Sequence, residues 1–265
     1  MVTELHSGNE GVRAPEFCRQ DGFAYRFDWG VEGLEALAGE AAVVVVIDVL
    51  RFTTAVCCAL EAGATVLPYR WKDDTAVAYA ASHDAVLAGR REHGELSLSP
   101  TDLLTAEPGT RLVLPSPNGS TIAFRARELG VPHVLAGSIR NATATASAAR
   151  TLAGSGPIAV IAGGERWGTA EGPLRPAVED LLGAGAVLAA LDPSAAVSGV
   201  RCSPEAAAAR AAFVGARPLL YQVMCDCASG RELIARGWED DVATSAAHDV
   251  STTVCLLQGH EFRPL

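Results

Sequence analysis

Residues 42–50 read Ala-Val-Val-Val-Val-Ile-Asp-Val-Leu, a β-branched run broken only by Asp48. Apolar residues at consecutive rather than alternate positions mark a strand covered on both faces, as in the middle of a parallel sheet. The run is also too short to span a bilayer, which takes about 20 apolar residues. RFTT (51–54) follows, then AVCCALEAG (55–63), which has apolar residues at helical spacing and stops on Gly63. Strand, polar loop and helix in that order open a βαβ unit.

The same order recurs downstream. TVLPY (65–69) predicts a strand, and Asp73 and Asp74 are placed to cap an Ala-rich helix running to about Gly89. RLVL (111–114) leads through PSPNGS into a helix ending near Leu129. HVLAG (133–137) leads through SIRN into a helix over 142–153. PIAVIAGG (157–164) leads through a polar loop with Glu165 and Arg166 into a helix over 177–191. The expected fold is a three-layer α/β/α arrangement with a largely parallel sheet. Upstream, Phe23, Tyr25, Phe27 and Trp29 alternate as a half-buried strand would, and residues 1–40 otherwise lack strong periodicity. Beyond 192 an Ala-rich stretch has a helix start at Ser203-Pro204-Glu205, two short helices are expected over 230–237 and 239–249, and TTVCLLQGHEFRPL closes as a strand turning at Gln258-Gly259. No low-complexity linker divides the chain, so residues 1–265 are expected to form a single compact α/β unit with a C-terminal lobe from about 192.

Composition narrows the partners. With 21 Lys and Arg against 31 Asp and Glu, the net charge is −10, which lacks the basic footprint of a general nucleic-acid binder. A hydrophobic content of 49% with 20% charged residues excludes a disordered chain. No basic-then-apolar leader opens the sequence, and the seven cysteines are odd in number. These features point to reduced thiols and a cytoplasmic location, with no nucleic-acid or membrane partner; a homo-oligomer is left open.

Ligands of open parallel sheets bind beyond the carboxyl ends of the strands. The loops there contribute Asp48, Arg51, Thr53 and Thr54; Ser116, Asn118, Gly119 and Ser120; Ser138, Arg140 and Asn141; and Glu165 with Arg166. Each loop enters a helix whose first N–H groups are unpaired and attract anions. Hydroxyl, amide and guanidinium groups around such helix starts suit a phosphate or carboxylate, and added carboxylates suit Mg²⁺. Each residue also has a plainer role. Asp48, Thr53, Thr54 and Asn141 serve equally as helix caps, Asn118-Gly119 as a turn, and Glu179 and Asp180 as a solvated helix face. The longer polar stretch Arg90–Pro100 is either a surface loop or a reader of the substrate's tail, through Arg90 and its neighbours. No P-loop, Gly-x-Ser-x-Gly elbow or metal-spaced histidine set is present. Cys225 and Arg231 have the C-x5-R spacing of cysteine-dependent phosphatases, but no strong strand leads into Cys225, and the spacing reads as chance.

Several separated blocks resemble the 2-phosphosulfolactate phosphatase (ComB) family: 43–64, with its Asp-x-Leu-Arg loop; LPSPNGSTIAF (114–124); AGSIRNATATA (136–146); IAGGER (161–166) with VEDLLGAGAV (178–187); and 230–254. The resemblance runs from about residue 40 to the end. It implies a Mg²⁺-dependent phosphatase acting on a small phosphorylated hydroxy acid, the type reaction turning 2-phospho-3-sulfolactate into sulfolactate and phosphate. Positions matching the family are Asp48, Arg51, Thr53, Asn118, Gly119, Asn141, Glu179 and Asp180, and the resemblance lends some weight to Asp241 and Asp249 as well. Catalysis is then expected from Asp48, Arg51, Asn118, Glu179 and Asp180, with Asp48, Glu179 and Asp180 holding the Mg²⁺. Thr53, Thr54, Gly119, Ser120, Ser138, Arg140, Asn141, Glu165 and Arg90 are expected around the phosphorylated small-molecule substrate. This sequence departs from the family pattern in having Arg90 for an acid, Ser99 for Asn, Ser116-Pro117 for Thr-Thr and Gly183 for Cys. The alternatives are a lyase-type enzyme of specialised metabolism on the same cleft, or an inactive anion-binding homologue.

Overall fold

The computed structural model describes residues 15–70, 73–89, 91, 95–169, 172–193 and 201–265. Its strands are β1 (Tyr25–Trp29), β2 (Val43–Ile47), β3 (Thr65–Tyr69), β4 (Val86–Leu87), β5 (Arg111–Pro115), β6 (His133–Gly137), β7 (Ile158–Ala162), β8 (Glu165–Arg166), β9 (Leu174–Arg175), β10 (Cys255–Gln258) and β11 (Glu261–Pro264). Its helices are α1 (Gly30–Leu37), α2 (Phe52–Glu61), α3 (Thr75–Ser82), α4 (Pro100–Leu103), α5 (Gly119–Glu128), α6 (Ala142–Ala153), α7 (Val178–Leu191), α8 (Pro204–Ala216), α9 (Leu220–Asp226), α10 (Ala228–Ala235) and α11 (Glu239–Ala246).

The main sheet has the order β1-β7-β2-β6-β10-β11-β3-β5-β4, while β8 and β9 form a separate ribbon. The Val43–Ile47 run lies between two parallel neighbours and is buried on both faces. Val43, Val45 and Ile47 pack with Ala142, Ala146, Leu182 and Ala186 in one helical layer. Val44 and Val46 pack with Phe52, Val56, Ile122 and Leu34 in the other. The alternation of strand side chains thus feeds two cores from one apolar run, giving three layers.

The sheet is largely parallel, and it departs from the expectation at its centre. The final hairpin, β10–β11, is inserted between β6 and β3 through antiparallel pairings on both sides. Three antiparallel steps separate the β1-β7-β2-β6 block from the β3-β5-β4 block, so the two parallel blocks run in opposite senses. Other boundaries move modestly. Helix α2 begins at Phe52 rather than Ala55, and α3 ends at Ser82, well short of Gly89. Asp73, not Asp74, accepts from the Thr75 N–H at 3.0 Å. Helices α1, α4 and α9 have no counterpart in the sequence pattern, being short or set in stretches without clear periodicity. Helix α8 packs along α7 and β1, and Ser203 caps it, its hydroxyl accepting from the Ala206 N–H. All seven cysteines are free. Among the described residues no helix is long and apolar enough to cross a membrane.

Candidate active site

Loops leaving β2, β5 and β7 meet at Asp48, which directly follows β2 and is 7% exposed. Its Oδ2 accepts from the Gly119 N–H at 2.9 Å and from the Ser116 hydroxyl at 3.1 Å, and its Oδ1 from the Phe52 N–H at 3.3 Å. One carboxylate therefore closes the N-termini of both α2 and α5, where unpaired donors favour negative charge. The approach requires glycine at 119: a Cβ there would lie 2.3 Å from Phe52 Cδ1 and 2.8 Å from Asp48 Oδ2.

Three further carboxylates surround this point. Asp180, in the first turn of α7, accepts from the Val49 N–H at 2.7 Å and the Gly164 N–H at 2.8 Å. It thereby ties the end of β2 to the end of β7. Glu179 is 2% exposed and lies beside Cys227, whose thiol donates to the Met224 carbonyl at 3.1 Å. Glu165, on β8, accepts from the Asn118 side-chain amide at 3.5 Å. Glu179 and Asp180 are thus interior residues, not a solvated face.

Burial and mutual repulsion dominate the electrostatics. Burial raises the Asp48 carboxyl despite the N–H groups of Gly119 and Phe52, with a further push from Glu179. Asp180 is pushed well above the usual carboxylate range by burial and then by Asp48 and Glu179. Burial, then the charges of Asp48 and Glu179, raise Glu165 to about 7. Burial and the adjacent Glu179 push the Cys227 thiol up to about 12, so it remains a donor.

The remaining expected residues are spread more widely. Thr53 Oγ1 donates to the Asp48 carbonyl and accepts from the Asp48 N–H, while Thr54 Oγ1 donates to the Val49 carbonyl. Both threonines therefore brace the turn. Ser120 donates to the Leu114 carbonyl. Asn141 Oδ1 accepts from the N–H and hydroxyl of Ser138, and its amide donates to the Thr253 carbonyl, which locks the β6–α6 turn. The start of α6 is covered by Asp249, which accepts from the N–H and hydroxyl of Thr143 at 2.8 and 2.7 Å. Arg140 pairs with Glu61 at 3.0 Å and donates to the Thr244 carbonyl. Glu61 ends α2, about 14 Å of helix from the Phe52 that touches Asp48. The open helix starts anticipated for an anion are thus closed by the protein's own carboxylates at α2, α5 and α6.

Arg51 follows Asp48 by three residues but faces Asp241, with Nη1 at 2.9 Å from Oδ2 and the guanidinium 4.8 Å above the Trp238 ring. Asp241 is fully buried and also receives the Ser99 hydroxyl at 2.5 Å and Arg91 Nη1 at 3.5 Å. Arg90 lies outside the described residues. Cys225 sits inside α9 rather than on a loop entering a helix, so no C-x5-R phosphate loop forms. Sequence reasoning missed Gly164, Cys227 and Ser99 as partners of the site. Only the paired glycines 163–164 at a strand's end carried a signal.

The profile of the 2-phosphosulpholactate phosphatase family matches residues 32–260. A protein of Thermus thermophilus, described as a probable 2-phosphosulfolactate phosphatase, is 36% identical over 148 residues. That stretch covers 54% of this chain and 59% of the relative. The family match takes in β2 through β10 and every carboxylate gathered around Asp48, and the chain belongs to the 2-phosphosulpholactate phosphatase family.

Proposed function

We propose that the chain is a Mg²⁺-assisted phosphomonoester hydrolase whose substrate is 2-phosphosulfolactate or a related phosphorylated hydroxy acid. The observation that carries this reading is the gathering of Asp48, Glu165, Glu179 and Asp180, four mutually repelling carboxylates drawn from three separate segments of the chain. Such a set is stabilised by a cation. Among the described residues no three His, Cys, Asp or Glu side chains are spaced to enclose a metal on their own. Mg²⁺ is usually held by one or two carboxylates, with waters and substrate oxygens completing the shell.

Asp48 and Glu179 would hold the ion, with Asp180 beside them and committed to two backbone N–H groups. A bound Mg²⁺ supplies polarisation of the phosphoryl oxygens and orientation of an attacking water. Glu165, titrating near neutrality, is suited to pass a proton to the departing alkoxide oxygen. Asn118 steadies Glu165, while Arg51, paired with Asp241 over the Trp238 ring, takes no part at the phosphoryl group.

Phosphate release from a panel of phosphomonoesters, with Mg²⁺ and with chelator, tests the reading. Release that requires Mg²⁺ and is fastest with 2-phosphosulfolactate is the expected result. Consumption of the ester without phosphate release would replace hydrolysis with a lyase-type reaction. Binding without turnover would leave an anion-binding homologue, and release in chelator would remove the metal from the scheme.

A further inference from the structure

Arg91 and Arg51 come from segments 40 residues apart and converge on one buried carboxylate, Asp241, at 3.5 and 2.9 Å. We propose that these two guanidiniums form a subsite for a second oxyanion, one carried on the substrate's tail beyond the phosphoryl group. The proposal rests on the phosphomonoesterase reading and deepens it.

Asp241 is already well supplied. Its Oδ2 takes Arg51, and its Oδ1 takes the Ser99 hydroxyl at 2.5 Å. Arg91 Nη1 is buried at 3.5 Å from Asp241 Oδ2, an ion pair that completes no hydrogen bond, while its Nη2 lies 3.3 Å from Asp102. A guanidinium carries five N–H donors in a fixed fork, and a buried donor left unmet is costly. The Trp238 ring covers one face of Arg51 at 4.8 Å and leaves its edge to make hydrogen bonds. Neither side chain is sealed: Arg51 is 16% exposed and Arg91 25%. Two arginines with spare donors match the planar or tetrahedral oxygens of a carboxylate or sulfonate. Arg51 lies three residues past Asp48, at the turn into α2, so one short loop carries both the carboxylate and a guanidinium of the subsite.

Arg91 has a competing role as a simple tether holding segment 95–102 against α11. The two roles differ in what happens when Asp102 is neutralised. Titration calorimetry on the full chain with Mg²⁺ uses two probes, inorganic phosphate and sulfolactate. The wild type is expected to bind both. Arg91→Gln is expected to weaken sulfolactate by about tenfold or more while phosphate binding stays unchanged, which also shows the variant to be folded. Asp102→Asn, which removes a competitor for Arg91, is expected to leave sulfolactate binding equal or tighter. Equal loss of both probes in Arg91→Gln, no loss of either, or weakening by Asp102→Asn that matches Arg91→Gln would each overturn the subsite. Phosphate binding without sulfolactate binding in the wild type would sink the subsite alone. Failure to bind either probe would sink the phosphatase reading with it.

Discussion

Glu165 enters the unfolded chain with an ordinary value of 4.5 and holds its proton to about 7 in the fold. Between those limits the native state carries more protons than the unfolded one, so stability falls as pH rises through the window. Metal-free protein should therefore melt lower at pH 8 than at pH 5.5 from this source, and Mg²⁺ should narrow the gap. Glu165→Gln should raise the melting temperature at pH 8 without metal by about 3 °C, and by less at pH 5.5. Differential scanning fluorimetry with and without chelator reads both. At Gly119 the constraint is space rather than charge. A methyl group there would meet Phe52 and Asp48, so Gly119→Ala should cost about 1–3 kcal/mol and depress phosphate release by displacing the carboxylate. Unchanged urea denaturation in that variant would show that Phe52 moves aside freely.

Each of the helices α2, α5 and α6 begins against a carboxylate, and the helix starts show how far sequence patterning reached. The strands β2, β3, β5, β6 and β7 were legible because consecutive apolar residues and polar loops are local signals, whereas the two-residue β4 falls in the stretch expected to continue the helix to Gly89. The candidates Asp48, Asn118, Glu165, Glu179 and Asp180 do come together, since all lie at strand ends or in the helix start just beyond one. What stayed hidden was non-local. Nothing near Ala142 announces that Asp249, more than a hundred residues on, covers α6, or that Glu61 engages Arg140. The opposed senses of the two parallel blocks likewise depend on where a distant hairpin inserts. Asp249→Ala should uncap α6 and lower unfolding free energy by about 1 kcal/mol in urea, with phosphate release largely kept. A large loss of activity at unchanged stability would instead place Asp249 in the chemistry.

Across the whole molecule, the β10–β11 hairpin joins the two blocks of the sheet, and Phe262 is its buried anchor. Phe262 has no exposed surface and meets Phe52 edge-on, with ring centroids 6.2 Å apart. Phe262→Ala should therefore cost about 3–5 kcal/mol by equilibrium denaturation. It should also loosen the Asp48 turn through Phe52. The hairpin follows every other strand of the sheet in chain order, yet fills the middle of it. A ribosome making this protein must release β6 and β3 long before the strands that will separate them. Until residues 255–264 emerge, both carry raw hydrogen-bonding edges that invite pairing with other chains or with each other. Joining of the two blocks is thereby deferred until this hairpin has been made. Nascent chains stalled before Cys255 should be open to protease along β3 and β6, and full-length chains held on the ribosome through an appended linker should be protected.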